Sequence, residues 1–199
     1  MNEQEKLWNS EFGNTYHQRN PLRDQKDFWA EVLKTRRRDN IKSVLELGAG
    51  KGDNLVALRD ILHLGYNDLA GIEINRTACD KMADANLRVL QGSALDVLIP
   101  RRYDLVLTRG FLIHVPKIDL DAVFSRIYKA SSRYICLAEY YSPARREIKY
   151  HAQESALWTD DFAGKMMRQF PDLKLLKYGF KYHMDGGDDI TYFLMEKNG

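Results

Sequence analysis

Ser43-Val44-Leu45-Glu46-Leu47-Gly48-Ala49-Gly50-Lys51-Gly52-Asp53-Asn54 decides the fold of this chain. Val44, Leu45 and Leu47 make a short apolar strand, which breaks into a glycine loop. Residues 54–64 then resume at helical spacing. A strand, a glycine-rich turn and a helix N-terminus form a site for a nucleotide-like ligand. Glycines let the backbone turn sharply and let the ligand approach with no Cβ in the way. The dinucleotide fingerprint G-x-G-x-x-G accepts Gly48 and Gly50 at its first two positions, but its third would fall at Asp53. What stands instead is Glu46-x-Gly48-x-Gly50-x-Gly52, an acid before three alternating glycines.

That pattern resembles motif I of the S-adenosylmethionine (SAM)-dependent methyltransferases. SAM carries an ammonium and a sulfonium and has no pyrophosphate, so an acid beside the loop suits it better than it suits NAD. The resemblance implies cofactor contacts at Glu46, Gly48, Ala49, Gly50 and Asn54.

Size and composition agree with an enzyme of this kind. A chain of 199 residues is most simply one domain, and 44% hydrophobic residues supply its core. The formal net charge is only +2, from 30 basic and 28 acidic residues, which gives no field favouring nucleic acid or a membrane surface. Cys79 and Cys136 form no CxxC and are too few for a disulfide scaffold. The polar opening Met1-Asn2-Glu3-Gln4-Glu5-Lys6 does not read as a signal peptide, and no apolar run reaches spanning length. A cytoplasmic protein is the expectation. His17, His63 and His183 show no ligand spacing with each other or with either cysteine, so no metal is expected.

Residues 1–40 precede the first strand and read as a helical cap. Trp8, Phe12, Tyr16 and Arg19 recur at i, i+4, i+8 and i+11, one helical stripe that Gly13 weakens or splits. Asn20-Pro21 breaks it. A second helix over about residues 23–38 turns Phe28, Trp29, Val32 and Leu33 inward. The closing run Lys34-Thr35-Arg36-Arg37-Arg38 reads either as cations at a helix C-terminus or as a phosphate-binding patch.

Past the glycine loop, residues 67–75 read as a second strand ending at Glu73 and Ile74. Glu73 lies about 20 residues beyond the loop, where such folds place the carboxylate that takes the ribose hydroxyls. A carboxylate accepts two charge-assisted bonds from a vicinal diol. Residues 87–91 form a third strand, ended by Gly92-Ser93-Ala94. Methyltransferases often carry an acid near that point for the adenine amino group. Ser93 stands here instead, which passes that contact to the backbone or to Asp96, while the resemblance still implies a cofactor contact at Ser93. A fourth strand, residues 103–108, opens through Arg109-Gly110 into residues 111–116, and a helix follows with Leu120, Val123, Phe124 and Ile127 on one face. A fifth strand covers residues 134–141. Residues 144–154 read as irregular, and a helix is expected over about residues 155–170. Two last strands, residues 173–183 and 188–196, flank Asp185-Gly186-Gly187 as an antiparallel hairpin.

Strands alternating with helices predict an α/β, doubly wound sheet. The resemblance makes this a Rossmann-like class I methyltransferase fold. Its seven strands would run 3-2-1-4-5-7-6, with an antiparallel last strand and an N-terminal helical lid. Ligands of open α/β sheets bind beyond the carboxyl ends of the strands. Residues 48–52, Glu73, Ser93, Thr108 through His114 and Glu139 through Tyr141 all fall at those ends.

A closer resemblance spans nearly the whole chain. Phe12-Gly13 with Tyr16 and Arg19-Asn20, then residues 44–48, 71–75 and 104–110 with Leu112-Ile113-His114, belong to it. So do Glu139-Tyr140-Tyr141-Ser142-Pro143, Asp161-Phe162-Ala163-Gly164, Tyr178-Gly179-Phe180 and Asp188-Asp189-Ile190-Thr191. These resemble the pseudaminic acid biosynthesis-associated methylases. That family leads one to expect Tyr-Arg-Gly-His near residue 150, where this chain has Tyr150-His151-Ala152-Gln153. The departure falls where the acceptor should sit. The implied reaction is methyl transfer to an oxygen or nitrogen of a small molecule, a sugar or nucleotide-sugar.

Methyl transfer is an in-line displacement, and positioning supplies most of its rate. An oxygen acceptor also needs a base. His114, just past the fourth strand, is the first candidate, because an imidazole takes a proton near neutral pH. Glu139 and His151 stand in reserve. Tyr140, Tyr141 and Tyr150 are candidates for stacking on a sugar ring. Tyr16 and Arg19 would sit on the lid, with Arg19 pairing the methionine carboxylate or an acidic substrate. The resemblance completes the cofactor set with Ile74, Gly92, Ala94, Thr108, Arg109 and Gly110. The competing readings are a methyltransferase of another metabolite or of a protein and, from another class, a SAM-binding regulatory protein without turnover.

Overall fold

The computed structural model describes residues 1–19, 23–35, 38–150, 153–185 and 187–198, without the side chains of residues 38, 149, 150 and 153–156. Val44–Leu47 (β1) is buried at every position, as a strand covered on both faces must be. It pairs in parallel with Leu69–Glu73 (β2) on one side and Tyr103–Arg109 (β4) on the other. Arg88–Gln91 (β3), Ser131–Glu139 (β5), Leu173–Lys181 (β8) and Ile190–Lys197 (β9) complete a seven-stranded sheet in the order β3-β2-β1-β4-β5-β9-β8. Only β9 runs antiparallel to its neighbours. This is the expected order, and the sheet with its flanking helices is the class I methyltransferase fold.

Two apolar layers cover the sheet. On one face, Leu120–Ala130 (α6) and Phe162–Gln169 (α7) bury Leu120, Val123, Phe124, Ile127, Phe162 and Met166. On the other, Lys26–Val32 (α3) and Asp53–Leu62 (α4) bury Phe28, Trp29, Val32, Leu55 and Leu58. Arg76–Asp84 (α5) adds Met82.

The N-terminal stripe is two helices, Glu3–Trp8 (α1) and Glu11–Arg19 (α2). The break falls at Asn9 and Ser10, whereas Gly13 lies inside α2. The Ser10 hydroxyl donates to the Leu7 carbonyl and accepts from the Phe12 amide, so it competes with the helical ladder. Gly13 is buried there because a Cβ would run into the Trp8 carbonyl. The expected Asn20-Pro21 break and Arg36-Arg37 of the basic run lie outside the described residues. The second expected helix is only α3.

Residues 144–154, read as irregular, contain most of a hairpin, Arg146–Tyr150 (β6) with Gln153–Thr159 (β7). The helix expected from about residue 155 starts at Phe162, where the Asp161 side chain caps it by accepting from the Gly164 amide at 2.9 Å. A two-stranded ribbon off the sheet shows little inward–outward alternation, so periodicity misses it.

Gly71 sits at the centre of β2 under this packing. A Cβ there would meet the Met82 sulfur, the Ala49 Cβ and Leu55. Gly71→Ala should therefore lower stability by about 1–3 kcal/mol, read as a shifted midpoint in urea denaturation.

Candidate functional site

The alternating glycines have a backbone cause. Gly48, Gly50 and Gly52 take φ of +69°, +54° and +85°. A side chain at Gly48 would also enter the Phe111 ring. The loop is held by β2: the amides of Gly48 and Ala49 donate to the Ile72 carbonyl at 2.9 and 3.0 Å. Glu73 finishes the job. Its Oε2 accepts from the Gly50 amide, and its Oε1 from those of Ile74 and Asn75, each at 2.8 Å. Burial raises the Glu73 pKa, and those three amides oppose the rise.

Above the strand ends lies a cavity of about 530 Å³, within the usual range for a small-molecule site. Its walls include Gly48, Ala49, Gly50, Asn54, Glu73 and Ile74, together with Gly92, Ser93, Ala94, Arg109, Gly110 and His114. Tyr16, Arg19 and Tyr140 also line it. Most of the residues singled out in the sequence thus meet around one space.

Four do not. Glu46 is fully buried beneath the loop and is not part of the cavity wall. Its Oε1 accepts from Asn54 Nδ2 at 2.7 Å, and its Oε2 has no partner among the described residues. Burial drives its pKa well above the ordinary carboxylate value, with Asn54 and Arg109 opposing. Thr108 is likewise buried away from the cavity. Glu139, at the end of β5, is buried and also absent from that wall, and lines instead a small hollow with Tyr141, Asp160 and Phe193. It accepts from the Phe111 amide at 3.3 Å. Tyr141 is 48% exposed and packs near Phe193 outside the cavity. The alternation of side chains along β5 explains both: adjacent positions leave on opposite faces, and Tyr140 takes the cavity side. His151 and the Tyr150 side chain lie outside the described residues.

The cavity has two characters. One end, by Leu95, Phe111, Ile113, Val115, Val123 and Leu157, is apolar. The other is polar. There Gln25, only 4% exposed, presents an Oε1 with no partner among the described residues, as do Asp53 Oδ1 and Arg109 Nε. The Arg109 guanidinium lies over the Phe28 ring at 4.8 Å and donates to Asn54 Oδ1 at 3.5 Å, and Trp29 Nε1 donates to the same oxygen at 3.0 Å. Burial pulls the Arg109 pKa down, opposed by Glu46 and Asp188. His17 faces this end too, its pKa lowered to about 4 by burial and by Lys51, so it is neutral at pH 7.

The N-terminal helices form the roof. Asn75 Nδ2 donates to the Trp8 carbonyl and to Asn14 Oδ1, both at 3.0 Å. Asn2 Nδ2 donates to Asp119 at 2.7 Å, and the Ser93 hydroxyl donates to Glu5. Glu5, Trp8, His17 and Gln25 were not singled out in the sequence as site residues. The capping box of Asn2 and Glu5 and the Trp8 stripe were visible signals of a helix, but not of where it lies.

Residues 44–132 match a family model described as a methyltransferase domain. No curated protein matches the chain. Among solved structures, the glycopeptide N-methyltransferase MtfA with S-adenosylhomocysteine (SAH) shares 12% identity at a TM-score of 0.67, covering 96% of this chain and 99% of that one. Magnesium protoporphyrin IX methyltransferase from Synechocystis PCC 6803, with SAH, shares 12% at 0.71, covering 98% of each. The 1,6-didemethyltoxoflavin-N1-methyltransferase of Burkholderia thailandensis shares 15% at 0.69, covering 98% and 88%. At such identities these are likenesses of fold. Residues 44–132 are thus similar to a methyltransferase domain, and the chain has the class I methyltransferase fold. No helix among the described residues is long and apolar enough to cross a membrane.

Glu139 generates a pH prediction. Burial raises its pKa from 4.5 to about 7, against the Thr108 hydroxyl and the amides of residues 111–113. Between those values the folded state holds a proton that the unfolded state has lost. Stability should therefore fall as pH rises from 4.5 to about 7, then level off. Glu139→Gln should flatten that slope and exceed wild type at pH 8 by on the order of 1–3 kcal/mol, measured by urea denaturation across pH.

Proposed function

We propose that this protein is a SAM-dependent methyltransferase acting on an oxygen or nitrogen of a small molecule, a sugar or nucleotide-sugar such as an intermediate of the pseudaminic acid pathway. The observation that carries the reading is the roofed cavity over the glycine loop, with unpartnered polar atoms at one end. Those atoms fit the amino-acid tail of SAM: Arg109 Nε suits its carboxylate, and Gln25 Oε1 and Asp53 Oδ1 suit its ammonium. Glu73 and Ser93 would hold the nucleoside. When bound, SAM supplies an electrophilic methyl carbon on a positively charged sulfur.

The chain's own part is to orient, exclude water and move a proton. His114 lines the cavity and would accept the proton of a hydroxyl acceptor. The roof keeps bulk water from the reacting atoms. Among the described residues at the polar end stand Arg19, Arg23, Lys51 and Arg109 against Asp53 and Asp188. Glu5 and Glu73 balance that surplus over the whole wall, so the cations supply local pairing, for the SAM carboxylate and for a carboxylate or phosphate of an acidic sugar or nucleotide-sugar.

Incubation with labelled SAM and a panel of nonulosonates and nucleotide-sugars tests this directly. Label transfer to a panel member is the expected result. Tight SAM binding with no transfer to any acceptor would instead favour a regulatory SAM-binding protein. Glu73→Ala should weaken SAM binding by about 1.5–3 kcal/mol in calorimetry, the scale of bonds to a charged group. His114→Ala should leave that affinity near wild type and slow turnover by roughly 10²–10⁴-fold if the acceptor is an oxygen; unchanged turnover would point to an amine.

A further inference from the structure

Trp8 is a large aromatic side chain of the roof, packed on Tyr16, and its position asks for a ligand. Its Nε1 is buried with no hydrogen-bond partner among the described residues, while the residue lines the cavity. A buried N–H left unpaired destabilises the fold, and tryptophan N–H groups usually find a partner when buried.

The ring is held on several sides. It meets the rings of Phe12 at 5.4 Å, Tyr16 at 5.2 Å and His114 at 4.6 Å, all edge-on. Its carbonyl is fixed by Asn75, two residues past Glu73. One turn earlier on the same helix, Glu5 is tied to Ser93. The indole therefore spans the middle of the rim, from the end of β2 toward the end of β4, with the β3 end beside its helix. Its helix lies beside Glu73 and Ser93, the residues assigned above to the nucleoside, through the Trp8 carbonyl on Asn75 and Glu5 on Ser93.

We infer that Trp8 is a ligand-contacting residue whose indole N–H donates a hydrogen bond to the nucleoside half of the bound cofactor. The inference rests on the SAM-dependent reading above and adds to it a recognition residue from the N-terminal helix. The roof would then read the cofactor as well as cover it.

The test is calorimetry on the full chain with two probes, SAH and 5′-methylthioadenosine, which shares the nucleoside but lacks the amino-acid tail. Two variants are used: Trp8→Phe, and Trp8 replaced by benzothienylalanine, which keeps the bicyclic shape and loses only the N–H. Thermal melts select variants that fold as wild type does. The expected result is that the benzothienylalanine variant binds both probes about 3- to 10-fold more weakly, by equal factors. Weakening of SAH alone would move the contact to the tail and overturn the inference. Loss in Trp8→Phe with none in the benzothienylalanine variant would reduce Trp8 to packing and overturn it as well. A wild-type protein that binds neither probe would remove the SAM-dependent reading itself, an outcome distinct from any difference between variants.

Discussion

The carboxylate of Glu73 is the joint on which the site depends. Three backbone amides converge on it, one from the glycine loop and two from the residues that follow β2. A buried carboxylate is tolerated only when its oxygens are satisfied, and these amides do that. The result is a fixed spacing between the loop after β1 and the end of β2. Asn75 continues the chain of bonds: its amide serves Glu73, its Oδ1 caps α5 by accepting from Ala78, and its Nδ2 carries the roof. Floor, wall and roof of the cavity thus meet within three residues.

Much of this was legible in the sequence. The strand–loop–helix at residues 43–54 has a local cause, since only glycine readily takes positive φ at three alternating positions. The parallel strands were legible as short apolar runs bounded by turns, and their C-terminal residues were bound to share a rim once the topology was accepted. Hence Glu73, Ser93, Arg109 and His114, read in the sequence at strand ends, line one cavity in the structure.

What was not legible depends on contacts distant in sequence or on which face a side chain leaves. Glu46 belongs to the motif, yet β1 is buried on both faces and the acid points beneath the loop. Glu139 and Tyr141 were assigned to the site by position at a strand end, but adjacent strand residues point opposite ways, and only Tyr140 reaches the cavity. Gln25 reads as an ordinary polar residue before a helix, and only tertiary packing buries it. The β6–β7 ribbon escaped because its pattern is not set by the main core.

The burial of Glu46 has an electrostatic consequence for the ligand. Desolvation pushes the Glu46 pKa well above the ordinary carboxylate value, against the hydrogen bond from Asn54 and the charge of Arg109. Glu46 below and Asp188 beside it support the charge of Arg109 against the same burial. Its guanidinium, backed by the Phe28 ring and steered by Asn54, projects its field into a space of low polarisability, where a fixed charge acts over a longer range than it would in water. A motif acid hidden beneath the loop thus supports, without touching the cavity, a cation that lines it.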